Sequence, residues 1–195
     1  MGEDRVSLEL SEAIKALTDF AKIGEETLTS AISICIEALS QGNKILICGN
    51  GGSAADAQHF AAELVVRFRE NRRSIPAIAL TTDTSILTAG ANDFGYETIF
   101  ARQVSALARK GDVLIGISTS GRSKNVLLAL EEANRIGVKT IGLCGPRSDQ
   151  MEALCDVCIT VPSSKTSHIQ EVHEVCLHII AQELEMWIME EEKKV

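Results

Sequence analysis

Residues 44–68, KILICGNGGSAADAQHFAAELVVRF, join an apolar run, a glycine-rich break and a helix-forming segment, and carry most of the information in the chain. Lys44-Ile45-Leu46-Ile47-Cys48 is a short apolar run of the length of a buried strand. Gly49-Asn50-Gly51-Gly52-Ser53 interrupts it with residues that tolerate unusual backbone angles and allow close approach to the main chain. From Ala54 onward the residues are good helix formers, and Ala57, Phe60, Ala61, Leu64 and Phe68 recur at helical spacing. Strand, glycine turn and helix aim free backbone N–H groups at an anion, although many such turns only connect elements. His59 and Glu63 lie four apart, on one face of that helix. Imidazole and carboxylate so placed can share a metal or simply face solvent, and spacing alone favours solvent.

The rest of the chain repeats the alternation. Residues 5–41 read as two helices, with one stripe of Leu8, Leu10, Ile14, Leu17 and Phe20 and another of Leu28, Ala31, Ile32, Cys35, Ile36 and Leu39, stopped by Gly42. Strands are expected at 44–48, 76–80, 112–117, 138–144 and 157–161. Residues 81–90 read as a polar loop running into a short helix, Asn92-Asp93-Phe94-Gly95 as a turn, and 96–109 as helical. Helices are expected at 125–136, ended by Gly137, and at 167–190. Arg67, Arg69, Arg72 and Arg73 form a basic cluster, read as a solvated helix end in preference to a sugar-phosphate contact. Strands alternating with helices imply a parallel sheet covered on both faces, with ligands beyond the carboxyl ends of the strands.

Composition narrows the function classes. At 195 residues the chain is one domain of ordinary size, and its 45% hydrophobic content suits a compact α/β protein. A net charge of −8 argues against a general nucleic-acid binder but permits an anionic substrate at a local turn. Cys35, Cys48, Cys144, Cys155, Cys158 and Cys176 sit mostly in apolar runs, as free buried thiols do, and the polar amino end does not resemble a signal peptide. A reducing cytoplasm is expected. Cys155-Asp-Val-Cys158 has zinc-knuckle spacing without a second pair, so two plain thiols at a strand edge is the better reading. No apolar run is long enough to cross a bilayer.

Two further segments bear on chemistry. Ser118-Thr119-Ser120-Gly121-Arg122-Ser123 follows the third strand and opens a helix. One helix cap needs a single hydroxyl; four hydroxyls here suit a phosphate monoester held without a nucleotide-type loop, since GxxxxGK[ST] is absent. In the last helix, Gln170 and His178 are eight apart, nearly on one face but about 12 Å along the axis. Either both lean onto one metal or different subunits contribute. His173 falls on another face and reads as structural.

Taken together, CGNGGSAADAQHFAAEL at 48–64, ANDFG at 91–95, GISTSGRS at 116–123 and IQEVHEVCLH at 169–178 resemble the sugar isomerase (SIS) domain family, and within it the phosphoheptose isomerase branch. The resemblance implies a flavodoxin-like parallel five-stranded sheet flanked by helices, one domain over 1–195, and N-terminal helices used in packing and oligomerisation. It implies a homotetramer with sites shared between subunits, and one zinc ion per subunit held by His59, Glu63, Gln170 and His178. Substrate contacts would fall on Asn50, Gly51, Gly52, Ser53, Glu63, Asn92, Asp93, Ser118, Thr119, Ser120, Ser123 and Gln170, and acid/base work on Glu63 and His178.

The implied reaction is an aldose–ketose interconversion of sedoheptulose 7-phosphate, opening a route to nucleotide-activated heptose and lipopolysaccharide in the cytoplasm. Such a reaction moves a proton between adjacent carbons through an enediol, with a hydride shift as the competing path. Zinc would polarise the carbonyl. A zinc-bound Glu63 is a weakened base, which is a tension within this assignment. Two alternatives from other classes are a non-catalytic SIS protein that binds the replication initiator, and a SIS domain that only senses phosphosugars. The initiator-binding branch lacks counterparts of Glu63 and His178, so their presence favours the enzyme.

Overall fold

The computed structural model describes residues 3–146 and 148–194; residues 1, 2, 147 and 195 of the expected 1–195 domain lie outside them. Five strands, β1 (Ile45–Gly49), β2 (Ala77–Ala79), β3 (Val113–Ser118), β4 (Lys139–Cys144) and β5 (Val157–Thr160), form one sheet in the order β2-β1-β3-β4-β5. Every pairing is parallel, and Ile45 through Gly49 run in register with Val113 through Ile117. This is the flavodoxin-like order, with its switch point between β1 and β3.

Eight helices are assigned among the described residues: α1 (Glu3–Ala21), α2 (Glu25–Ser40), α3 (Gly52–Val65), α4 (Thr84–Phe94), α5 (Ile99–Leu107), α6 (Lys124–Ile136), α7 (Asp149–Glu152) and α8 (Thr166–Glu192). A single 3₁₀ turn, Tyr96–Thr98, precedes α5.

The apolar runs are continuous because both faces of the sheet are covered. Alternate residues split between two cores. Ile45, Ile47, Val113, Ile115, Ile117, Ile141 and Ile159 face a cluster with Phe20, Ala31, Phe60, Leu64, Ile180 and Leu184. Leu46, Cys48, Leu114 and Cys144 face the other cluster, with Phe100, Val104, Val126, Leu130 and Met151. Helix α8 therefore belongs to the same core as β1 and β3, and it lends one face to the site.

Three expectations are corrected. The short helix expected after a polar loop over 81–90 begins earlier than that reading places it: residues 84–94 are helical, because the Asp83 carboxylate caps the start by accepting from the Ile86 N–H at 2.9 Å. Asn92, Asp93 and Phe94 are thus its last turn, and the reversal falls on Gly95 at φ 88. The short helix α7 was not expected from the sequence. Helix α3 ends at Val65, so Phe68 and the arginine cluster lie beyond it in irregular chain.

Candidate active site

Helices α3 and α8 lie side by side and present one face each. On α3 that face carries Asp56, His59 and Glu63; on α8 it carries Gln170, Glu174 and His178. Spacings of three and four residues stack each set along its helix. The two faces meet along their length. At the amino end of α3, a Cβ added to Gly52 would stand 2.5 Å from Gln170 Nε2, so only a residue without a side chain admits the amide there. Further along, His59 Nε2 lies 3.1 Å from His178 Nε2 and 3.2 Å from Glu174 Oε1. His178 Nε2 is 3.3 Å from the same Glu174 oxygen, and Glu63 Oε1 is 3.5 Å from His59 Nε2.

The imidazoles meet edge to face, with ring centroids 5.3 Å apart, and Phe68 stacks on His178 at 5.6 Å. Phe68 is held in turn by Glu185 of α8, whose carboxylate accepts from the main-chain N–H groups of Phe68, Arg69 and Glu70 at 2.9–3.0 Å. Arg72, expected at a solvated helix end, is buried instead. Its guanidinium donates to the carbonyls of Glu63 and Leu64 at 2.7 Å, and its Nε lies 3.3 Å from Glu185 Oε1. This tether fixes the last turn of α3, and with it the base of the Glu63 side chain.

The cluster suits a divalent cation on its own chemistry. Two imidazole nitrogens facing each other at 3.1 Å need a proton or a cation between their lone pairs. Three carboxylates surround them, and Asp56 Oδ2 and Glu174 Oε2 are buried without a hydrogen-bond partner. Burial, reinforced by the Glu174 charge, pushes Asp56 up to about 6 against the opposite pull of His59. Crowded, partly desolvated carboxylates beside imidazole lone pairs are relieved by positive charge. A second acidic group, Glu9 and Glu12 beside His168, is already neutralised by Lys165, whose Nζ is 2.9 Å from Glu9 Oε1.

The two turns lie beyond the carboxyl ends of adjacent strands β1 and β3. Gly51 caps α3 at φ 56, a backbone region that favours glycine, and Ser53 is buried against Gly49. In the second turn Ser118 Oγ donates to Ser123 Oγ at 2.9 Å and lies 3.5 Å from Ser120 Oγ, while it accepts from the Ser123 N–H at 3.3 Å. Three hydroxyls are thus gathered where α6 begins. The carbonyl of Thr119 accepts from Gly145 N–H at 3.0 Å and ties the turn to the end of β4.

The turns are joined directly. Asn50 and Asn125 exchange side-chain amide bonds of 2.9 and 2.8 Å, and Tyr96 Oη donates to Asn50 Oδ1 at 2.9 Å. Asn92 and Asp93 are exposed at the end of α4 and bond each other at 2.7 Å; among the described residues no hydrogen bond links them to either turn. His173 is buried, its Nε2 donating to Cys144 O at 3.2 Å, and burial pushes it down to about 4 despite that bond. It is a structural residue, as expected.

Glu174, Asp56 and Asn125 were not anticipated. Glu174 sits midway between Gln170 and His178 at helical spacing, and that regularity is the signal that identifies it in retrospect.

Known proteins share this frame. A SIS-domain family model matches residues 10–145. A phosphoheptose isomerase of Nitratiruptor sp. is 58% identical over 172 residues, spanning 87% of this chain and 92% of that protein. One from Helicobacter pylori is 51% identical over 180 residues, spanning 92% and 94%. The solved structure of a phosphoheptose isomerase from Neisseria gonorrhoeae superposes with a TM-score of 0.88 at 42% identity, covering 93% of this chain and 97% of that one. With the family model over most of its length and such relatives matched nearly end to end, the chain belongs to the SIS-domain family, in its phosphoheptose isomerase branch, a branch of sugar-phosphate isomerase enzymes.

Proposed function

We propose that the protein interconverts sedoheptulose 7-phosphate and D-glycero-D-manno-heptose 7-phosphate, with a zinc ion at the α3–α8 cluster. The observation that carries this reading is the approach of His59 and His178, from helices far apart in sequence, to 3.1 Å. His59 and His178 would hold the ion, with carboxylate or amide ligands from Glu63, Glu174 or Gln170. The ion would supply Lewis-acid polarisation of the substrate carbonyl.

The remaining work belongs to the side chains. The hydroxyls of Ser118, Ser120 and Ser123, with the N–H groups at the start of α6, grip the terminal phosphate. Asn50, Gly51, Gly52 and Ser53 line the way from that grip to the cluster, so the reacting carbons are set by the phosphate's position. Glu63, anchored through Arg72, moves the proton between the adjacent carbons. His178, held by Phe68, presents Nε2 to the cluster and keeps its Nδ1 proton for the substrate oxygens. Asn92 and Asp93 enter only from a neighbouring subunit or after α4 moves.

A homotetramer with sites at subunit interfaces is part of the same reading. The stripe of Val6, Leu10 and Ile14 on α1 is solvent-exposed in the single chain, which suits burial against another copy. The one-domain assignment over 1–195 is supported by α8, which lies beyond the family match yet packs into the core of β1 and β3. No helix among the described residues is long and apolar enough to cross a membrane, and all six cysteines are free, in keeping with a cytoplasmic enzyme.

The test is turnover of sedoheptulose 7-phosphate in deuterated water. Deuterium on the product's second carbon supports proton transfer through an enediol. A protein that binds the sugar phosphate without turnover is a sensor, and one that ignores it leaves docking to another protein as the better reading.

A further inference from the structure

Three thiols gather at the edge of the sheet, on the face opposite α3 and α8. Gly142 of β4 pairs with Cys158 of β5, and Cys144 with Thr160, so these four residues face one side. A Cβ added to Gly142 would stand 2.8 Å from Cys155 Sγ and 2.9 Å from Cys158 Sγ, so sulfur fills the space that glycine leaves. Cys144 Sγ lies 3.3 Å from Cys158 Sγ and donates to Ser148 Oγ at 3.1 Å. Cys144 is fully buried, whereas Cys155 and Cys158 are partly exposed. A small oxidant arriving at Cys158 therefore finds a second thiol in contact behind it.

We propose that Cys144 and Cys158 close into a reversible disulfide under peroxide, and that closure loosens the seryl turn after β3. Peroxide oxidises the Cys158 thiol to a sulfenic acid and is reduced to water. The Cys144 sulfur then attacks the Cys158 sulfur; the sulfenic hydroxyl departs with the Cys144 proton as a second water. The two sulfurs lose two electrons between them, and the peroxide gains them. The Cys144 hydrogen bond lowers the Cys158 thiol, but contact with Cys155 and burial outweigh it and push it up to about 12. Thiolate is the reactive form, so the bridge forms slowly at neutral pH, faster as pH rises, and answers sustained oxidant.

The coupling to the turn runs through Ser148. A bridged Cys144 has no S–H to donate to Ser148 Oγ, and Ser148 is packed under Gly121, where an added Cβ would stand 2.5 Å from Ser148 Cβ. Closure also moves backbone. With strands about 4.8 Å apart and two residues covering about 6.6 Å, the Cα atoms of a diagonal pair stand about 8 Å apart. A disulfide reaches only about 7 Å without such movement, and a strained one is more readily reduced. Cys144 is the last residue of β4, and the next residue, Gly145, donates its N–H to the Thr119 carbonyl of the seryl turn at 3.0 Å. The effect on substrate rests on the reading of that turn as the phosphate grip.

The experiment treats the protein with millimolar hydrogen peroxide at about pH 8.5, where thiolate is more abundant. Peptide mass spectrometry then maps the linkage, and kinetics on sedoheptulose 7-phosphate are measured before oxidation, after it, and after dithiothreitol. A Cys144–Cys158 linked peptide is expected, with KM raised about fivefold or more, the order of one lost hydrogen bond, kcat changed less, and both restored by the reductant. Cys158→Ser should form no such peptide and keep its KM through the treatment, while Cys155→Ser should behave as the parent. A Cys155–Cys158 linkage, irreversible acids on Cys158 alone, or unmodified thiols would overturn the proposal. The expected linkage with unchanged KM overturns the coupling to the seryl turn. A protein that forms the bridge but never turns the sugar phosphate over upholds the modification site and contradicts the proposed function instead.

Discussion

Asn50 and Asn125 face each other across the carboxyl end of the sheet and exchange two amide hydrogen bonds, of 2.9 and 2.8 Å. Asn50 belongs to the glycine turn after β1, and Asn125 to the first turn of α6, after the seryl turn. The pair therefore sets the distance between the glycine turn and the seryl turn. Asn125→Ala should leave Asn50 half-satisfied and cost about 1–3 kcal/mol of stability, read as a lower denaturant midpoint. The same variant should raise the KM for the sugar phosphate more than it lowers kcat, since it loosens positioning without touching the proton-transfer groups.

The buried ion pair of Arg72 and Glu185 makes a second prediction. Their side chains are 0% and 4% exposed, and Glu185 accepts from three main-chain N–H groups. Burial alone would raise the Glu185 carboxyl, but those N–H groups and the Arg72 charge outweigh it and hold it below its ordinary value of 4.5. Because the folded value lies below the unfolded one, this contribution to stability is complete above about pH 4.5 and is lost as pH falls through the folded value. Glu185→Gln should cost about 3–5 kcal/mol at neutral pH, as expected for a buried cation deprived of its partner. The gap between variant and parent should narrow in acid, which urea titrations at about pH 7 and about pH 3.5, on either side of the ordinary carboxylate range, would measure.

Gly52 yields a prediction that separates site from fold. Its backbone needs no positive φ, and the atom a Cβ would meet is the end of the Gln170 side chain. Gly52→Ala should therefore fold with stability within about 1 kcal/mol of the parent, since alanine favours a helix start over glycine. Displaced Gln170 should lower kcat/KM by tenfold or more, on the order of a lost site hydrogen bond. Parent-like kinetics would remove Gln170 from the site.

Much of this architecture is legible in the chain. Runs such as Ile45–Cys48 and Val113–Ile117 carry no polar side chain because both faces of the sheet are buried, and their length, with the turn residues that bound them, marks them as strands. The turns at 49–53 and 118–123 stand out because glycine and hydroxyl residues interrupt those runs. The start of helix α4 is hidden for the opposite reason. Its Leu87 and Ala91 are only partly buried against the second core, so the helix is visible but its first turn reads as loop until Asp83 is seen to cap it. Helical spacing brings out His59 with Glu63 and Gln170 with His178 as metal candidates, and family resemblance makes the four one set. Glu174 and Asp56 are not brought out, because an acidic residue on a helix reads as solvated until the opposing helix is in place. Arg72 was misread similarly: its burial depends on Glu185, more than a hundred residues later.

The most direct test of the whole scheme is isomerase activity on sedoheptulose 7-phosphate before and after removal of metal. The purified protein should lose turnover when dialysed against a chelator and recover it when stoichiometric zinc is restored, with the fold unchanged throughout. Full turnover by protein verified to be metal-free, or none by the zinc-loaded protein, would contradict the assignment of His59 and His178 to a metal-dependent isomerase centre.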